Sequence, residues 1–218
     1  PGIWLFISST LFQVHQSLAY GVRFVSPDGT NNVQFSMVGF VDDSTGTVND
    51  FQHTTEASVP TLLHRMQHDA QVWNNLLYCS GGKLELKKCS FHVLTFEFRP
   101  DGTPIAAIDN YENSIFVMDP ATQENIPIPS KRAYETHQTL GHHKAPASRL
   151  QAELYHLRKK AERISLLISA SPLTRTGAYL AYHTVYNPSM KYTLPQCFFP
   201  QKILDQAQAS SFQRLVSK

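Results

Sequence analysis

The chain has 218 residues, of which 42% are hydrophobic and 17% charged. That length holds one domain and a small second one, and that apolar content can bury a core, so global disorder and collagen-like or disulfide-rich classes are excluded. The 19 Lys and Arg against 17 Asp and Glu leave a net charge of +2, which by itself favours no partner. Cys79, Cys89 and Cys197 form no CxxC pair, which rules out the common zinc modules and suits free thiols in a reducing, intracellular compartment.

The chain opens on Pro1, so either a leader has been removed or this is a piece of a longer protein. The run Ile3-Trp4-Leu5-Phe6-Ile7 is short, lacks a basic flank and is followed by Ser8, Ser9, Thr10 and Gln13, which argues against a signal peptide or membrane span. We read residues 1–18 as a buried helix with Pro in its first turn, where a missing N–H costs nothing. Residues 21–25 form a strand and Pro27-Asp28-Gly29-Thr30 a turn. A second strand runs over 33–41, its apolar character broken by Asp42-Asp43, and a third over 45–48, so the acid pair tips a second hairpin.

The next signal is helical. Leu62, Leu63, Met66, Ala70, Trp73, Leu76 and Leu77 make one stripe over 61–78, ended by Ser80-Gly81-Gly82. A strand region follows at 89–98, and Pro100-Asp101-Gly102-Thr103 repeats the earlier turn chemistry. Ile115-Phe116-Val117 and Ile126-Pro127-Ile128 are candidates for weak pairing at a sheet edge, and 136–142 for a short strand. From 147 the period changes. Leu150, Leu154, Leu157, Ala161, Ile164 and Ile168 form a helical seam. Ser171-Pro172 reads as the N-cap and first residue of a helix reaching Tyr186, before Asn187-Pro188, and a last helix fits 200–216. The fold class is therefore α+β, with an antiparallel sheet and packed helices over 1–146 and a small helical bundle over 147–218.

Charge is unevenly placed. Residues 1–60 carry five acids and one base, whereas 131–163 carry eight bases and three acids. An acidic tip and a basic helix in one small protein suit a metal site beside a polyanion track; the plainer alternative is a solvated helix face. Two adjacent aspartates raise each other's pKa unless a cation lies between them. All-oxygen ligands suit Mg²⁺ or Mn²⁺, and such an ion can clamp phosphate oxygens for nucleotidyl transfer. Two carboxylates are thin for two metals, and a third acid is expected from elsewhere. The plainer alternative is a polar turn. His137, His142 and His143 lack an acid or Cys at ligand spacing and read as exposed histidines, while Cys79 and Cys89 read as buried thiols. No phosphate-binding Gly loop, GxSxG or HExxH is present, and the aromatic residues are too scattered to mark a stacking platform.

Phe40-Val41-Asp42-Asp43 in its strand–turn–strand setting resembles the catalytic hairpin of reverse transcriptases. The helix after it, Ser80-Gly81-Gly82 with the Leu- and Lys-rich stretch to Cys89, Thr139-Leu140-Gly141 and the terminal helices are similar to that family's order over nearly the whole chain. Pro1-Gly2-Ile3-Trp4 resembles the end of the segment that supports template and nucleotide, and the overall character is that of a eukaryotic retroelement polyprotein. The resemblance implies a palm-like sheet and a thumb-like bundle. It implies an RNA-directed DNA polymerase acting on a primed RNA or DNA template and deoxynucleoside triphosphates, with two Mg²⁺ or Mn²⁺ ions. The primer 3′-hydroxyl attacks the α-phosphate in line and pyrophosphate leaves.

The same resemblance implies roles for single residues. Asp42 is the main metal ligand and Asp43 its weaker partner. Phe40 packs near the primer end, where many relatives have Tyr. Lys88, or alternatively Lys87, donates a proton to pyrophosphate, unless it is only a surface charge. Leu140 and Gly141 shape the primer grip, and Arg158, Lys159, Lys160 and Arg163 face the duplex backbone. The family also uses an upstream aspartate strand and fingers, for which this sequence has no counterpart: Asp28 is the only acid before Asp42. The expectation is a fragment inactive alone, belonging to a longer polyprotein and not to a membrane. A non-catalytic nucleic-acid-binding domain and a decayed retroelement relic are the alternatives.

Overall fold

The computed structural model describes residues 2–40, 43–49, 59–107, 109–139, 142–147, 150–192 and 199–217. In chain order the elements are α1 (Gly2–Leu18), β1 (Val22–Val25), β2 (Asn32–Phe35), β3 (Met37–Phe40), β4 (Asp43–Gly46), α2 (Val59–Cys79), a 3₁₀ turn (Leu86–Lys88), β5 (Phe91–His92) and β6 (Phe96–Phe98). Then come β7 (Pro104–Ala106), β8 (Phe116–Met118), β9 (Asn125–Pro127), β10 (Ser130–Lys131), β11 (His137–Thr139), β12 (His142–Lys144), α3 (Gln151–Ala170) and α4 (Arg175–Ala181). A π-helical stretch (Tyr182–Tyr186) leads to α5 (Asn187–Lys191), and α6 (Gln201–Val216) closes the described chain. The fold is mixed α/β. In place of the one antiparallel sheet expected from the sequence, the described strands pair two by two, antiparallel except for β5 with β10.

Packing divides the chain into two units, one of residues 1–93 with 109–132 and the other of residues 94–108 with 133–218. In the first, α2 is the central element. Its residues Trp73 and Leu77 bury against Leu11 of α1, with Phe12 and Met37 at the margin. Phe12 stacks on Trp73 at 5.2 Å. Met66 and Ala70 turn to a second cluster of Leu86, Phe91, Val93, Ile115, Val117 and Ile128. Each large side chain buried in this way contributes roughly 1.5–3 kcal/mol. A Schellman motif ends α2. Gly81 takes φ +83°, the Gly82 amide reaches the Leu77 carbonyl at 2.8 Å, and the Gly81 amide reaches that of Tyr78 at 3.0 Å.

The strand expected over 33–41 is broken at Ser36, for a definite reason. Its amide donates to Gln16 Oε1 at 2.8 Å and its hydroxyl meets His15 Nδ1 at 2.7 Å, so α1 holds it out of the ladder. One strand thereby serves two hairpins, β1–β2 and β3–β4. Strand β4 begins at Asp43, two residues before the expected start. The region 89–98 is likewise two strands, and Phe96 and Phe98 are both exposed, so the alternation there buries no face. In place of one short strand over 136–142, β11 and β12 pair antiparallel, Thr139 opposite His142. Residues 115–117 and 126–128 do pair, as β8 and β9. Among the described residues helix α1 buries Ser8, Leu11 and His15 as one stripe, while Phe6 remains 77% exposed, so it is not the buried helix expected.

In the second unit, Leu157, Ala161 and Ile168 of α3 bury with Ala178, Tyr186 and Met190, and Leu204 and Leu215 of α6 close over them. Ser171 caps the end of α3, its amide reaching the Leu167 carbonyl, and does not start the next helix. Thr174 does, accepting from the Gly177 amide at 3.2 Å. The helix does not stop at Asn187-Pro188. The Asn187 amide skips back to the Tyr182 carbonyl in a π turn, which absorbs the N–H that Pro188 lacks, and α5 continues to Lys191.

Two predictions follow from this packing. A Cβ on Gly39 would overlap the Phe12 ring, so Gly39→Ala should push Phe12 off Trp73 and cost about 1–3 kcal/mol, read from the urea midpoint. The second concerns the ion pair of Lys83 with Asp119 at 2.8 Å. The hydrogen bond from Lys83 holds the Asp119 carboxyl below the usual carboxylate range, and the same bond raises Lys83. The Asp119 contribution is therefore full above the ordinary carboxylate pKa and is lost as pH falls through its lowered value. The urea midpoints of wild type and Asp119→Asn should differ at neutral pH and converge on acidification.

Candidate functional site

Hairpin β3–β4 pairs Met37 with Gly46, Val38 with Thr45, Gly39 with Ser44 and Phe40 with Asp43. Val41 and Asp42, which follow Phe40 in sequence, lie outside the described residues. Asp43 opens β4 with its carboxylate exposed to solvent. Strand β3 is buried on one face only. Met37 packs toward Trp73 and Leu11, and Gly39 lets the Phe12 ring lie against the backbone, while Val38 on the other face is 60% exposed. Helix α1 therefore backs the hairpin.

Beneath it lies a cavity of about 180 Å³, mostly apolar, whose lining includes His15, Met37, Ser44, Gly46, Trp73 and Leu86. The indole Nε1 of Trp73 is buried with no hydrogen-bond partner among the described residues. Cys89 also lines this cavity. Strand β4, which carries Asp43, and the 3₁₀ turn that carries Lys87 and Lys88 thus border the same space. Leu86 anchors that turn, the Lys88 amide donates to the Glu85 carbonyl at 2.8 Å, and both lysines are exposed.

Asp43 offers a hard oxygen donor of the right chemistry for Mg²⁺ or Mn²⁺. Among the described residues no three His, Cys, Asp or Glu side chains converge. Asp28 is committed elsewhere. The Ser26 hydroxyl, then the Thr30 hydroxyl and amide, donate to its carboxylate and hold it down at about 2.

Leu140 and Gly141 lie outside the described residues, between Thr139 and His142, which pair across β11–β12. Helix α3 holds that hairpin by two contacts: the buried Glu153 carboxylate accepts the His143 amide at 2.6 Å, and the His143 ring stacks on His156 with centroids 3.5 Å apart. On α3, at 100° per residue, Lys159 and Arg163 stand opposite the buried seam, with Arg158 and Lys160 flanking them. Arg158, Lys159 and Arg163 are exposed and Lys160 half-buried. Lys159 approaches Glu162 at 3.9 Å and the Tyr155 ring at 5.8 Å.

Sequence reasoning missed the polar groups that position these parts. His15, Asp69 and Glu153 are buried, and the amide side chains of Gln67, Gln71 and Asn74 line the edge of β8. The spacing of Gln67, Gln71 and Asn74 by four and three is a readable helical stripe. Nothing local marks Asp69 as a partner of residues 48 and 49 positions earlier in the chain. No helix among the described residues is long and apolar enough to cross a membrane.

Of the thiols expected to be buried, Cys79 is exposed, because it ends α2 off the stripe set by Trp73 and Leu77. Cys89 is half-buried. Burial, and next the charge of Glu85, push its thiol up. Compared with known proteins, the chain matches no family model, no curated protein and no solved structure. Iodoacetamide at neutral pH should label Cys79 before Cys89, as mass spectrometry of timed digests will read; equal rates would contradict the burial described for Cys89.

Proposed function

We propose that this chain is the palm and thumb portion of an RNA-directed DNA polymerase. The observation that carries the reading is the β3–β4 hairpin, backed by a helix, in which Asp43 opens β4 exposed to solvent, with Asp42 its neighbour in sequence. The shared cavity supports it further, because it sets the Lys87-Lys88 turn and the Asp43 strand around one space. The basic face of α3 supplies the sequence-independent contacts a duplex backbone needs.

In this reading Asp42 and Asp43 hold two Mg²⁺ or Mn²⁺ ions, together with a carboxylate that the described residues do not contribute. A site of that kind would supply charge stabilisation at the reacting phosphate and a lowered pKa for the attacking hydroxyl. Phe40 packs at the primer end, and Leu140 with Gly141 positions the primer strand. Lys88, with Lys87 as the neighbouring choice, offers a proton to the departing pyrophosphate. Arg158, Lys159, Lys160 and Arg163 bind backbone phosphates of template and primer. The partners are a primed RNA or DNA template, deoxynucleoside triphosphates and the rest of a polyprotein. By itself the 218-residue chain should not polymerise.

A non-catalytic nucleic-acid-binding module is the second reading, favoured by the exposed basic face of α3. Primer extension with Mg²⁺ or Mn²⁺ separates the two. In a chain extended upstream to include a further aspartate strand, Asp42→Asn should lower extension by about a thousandfold and Asp43→Asn by about ten- to a hundredfold. Binding of primed template should stay within about twofold. Extension retained by Asp42→Asn would overturn the site assignment, and extension by neither wild-type chain would favour the binding module.

A further inference from the structure

A second cavity lies between α4 with its π stretch and α6. It is a groove of about 280 Å³ lined by Arg175, Tyr179, Tyr182, Phe212, Leu215 and Val216. Its walls are largely aromatic. Tyr182 meets Phe212 edge to face, with centroids 6.3 Å apart and planes at 73°, and is held from behind by stacking on the buried Tyr186 at 5.5 Å. Tyr179 and Phe212 are 64% and 51% exposed, and the His183 ring meets Tyr179 at 4.5 Å and Tyr182 at 5.0 Å, both in T-shaped contacts. The π turn that carries Tyr182 is an irregularity of the kind that recurs at functional sites.

Among the described residues, the charged side chain that lines the groove is Arg175. Among the described residues 171–192 and 206–217, Arg175, Lys191 and Arg214 are basic and none is acidic. Arg214 is committed to Ser165 Oγ at 3.2 Å. No carboxylate among the described residues pairs with Arg175, which lies exposed in the groove lining. Flat, exposed rings beside an unneutralised guanidinium match a ligand that is itself a flat ring joined to an anion.

We infer that the groove between α4 and α6 seats an unpaired base of single-stranded nucleic acid, the base stacking in the corner of Tyr179, Tyr182 and Phe212 and an adjoining phosphate meeting Arg175. Stacking on aromatic side chains is tolerant of sequence, and the neighbouring cation supplies the backbone contact. The inference rests on nucleic acid as the partner, as proposed above, but assigns a different role from that of α3. The basic face of α3 takes any phosphate backbone, whereas the groove distinguishes an unpaired nucleotide from a paired one.

The test uses the whole chain with short RNA and DNA strands carrying a fluorescent purine analogue at one unpaired position, the same strands made abasic there, and a fully paired duplex. The wild type should quench the analogue and bind the abasic strand about tenfold more weakly. Tyr179→Ala and Phe212→Ala change exposed residues. Each should lose the quenching and about tenfold in strand affinity, with duplex binding unchanged, and Tyr179→Phe should restore both. Arg175→Gln should weaken strand binding and flatten its salt dependence. The RNA and DNA arms identify which strand is held more tightly, and preference for either meets the expectation.

Failure of the two readings is distinguishable. If wild type binds neither strand nor duplex, nucleic acid is not the partner and both readings fall. If it binds them with normal salt dependence, Lys159→Glu with Arg163→Glu abolishes that binding, but wild type holds intact and abasic strands equally and the aromatic variants bind the intact strand as wild type does, only the groove assignment is overturned. An acidic peptide that competes for the groove while the strand does not would overturn it in the same way.

Discussion

The first unit depends on one buried imidazole. His15 is fully buried on α1, and its two ring nitrogens face in different directions. Nε2 meets the backbone carbonyl of Asp69 at 3.1 Å, and a carbonyl only accepts, so Nε2 carries a proton. In the neutral ring Nδ1 is then an acceptor, and the Ser36 hydroxyl donates to it at 2.7 Å. The Asp69 carboxylate in turn accepts the amides of Tyr20 at 2.8 Å and Gly21 at 2.9 Å. Gly21 is needed there: its φ is +63°, and a Cβ would come within 2.7 Å of the Phe35 carbonyl oxygen. One network thus ties α1 to α2, turns the chain into β1 and breaks the long strand at Ser36. A buried donor or acceptor left unmatched costs about 1–3 kcal/mol, so each member constrains the others.

The same economy of polar groups explains how sheets of only two strands persist. A lone hairpin is marginal in water. Here side chains occupy the edges that further strands would cover. Gln71 both accepts the Met118 amide at 2.7 Å and donates to its carbonyl at 3.1 Å, and Asn74 adds a second donor to that carbonyl. Asn49 does the same for Arg23 on the free edge of β1, accepting its amide at 3.1 Å and donating to its carbonyl at 3.0 Å. These amide groups satisfy backbone bonds that would otherwise be open to pairing with another chain.

Rigidity and exposure are divided in a way that suits the proposed chemistry. The β3–β4 hairpin rests on Phe12 and Trp73, yet Asp43 at its end is open to solvent. The lysine turn is anchored by buried Leu86 while Lys87 and Lys88 remain outside. In the second unit, α3 sets its cations opposite the seam that α6 covers, and α4 with α6 leaves an aromatic groove lined by the cation Arg175. In each case apolar burial holds the backbone and leaves charged groups to meet a ligand.

The sequence by itself determined the elements whose signals are local or periodic. The α2 stripe from Leu62 to Leu77, the α3 seam, the turns at Gly29 and Gly102 with their positive φ, and the hairpin whose second strand opens on Asp43 were all legible in residue spacing and turn chemistry. The basic face of α3 was legible too, because 3.6 residues per turn fix which side chains oppose a seam. Tertiary structure alone decided the rest. The break at Ser36 depends on His15 and Gln16, which are 21 and 20 positions away. The burial of Asp69 and Glu153 depends on amides that the fold brings to them. The groove joins Tyr179 and Tyr182 to Phe212 from another helix. The physical reason is common to all three: a polar or aromatic side chain carries no local mark of its partner, and only packing brings the two within hydrogen-bond or ring-contact distance.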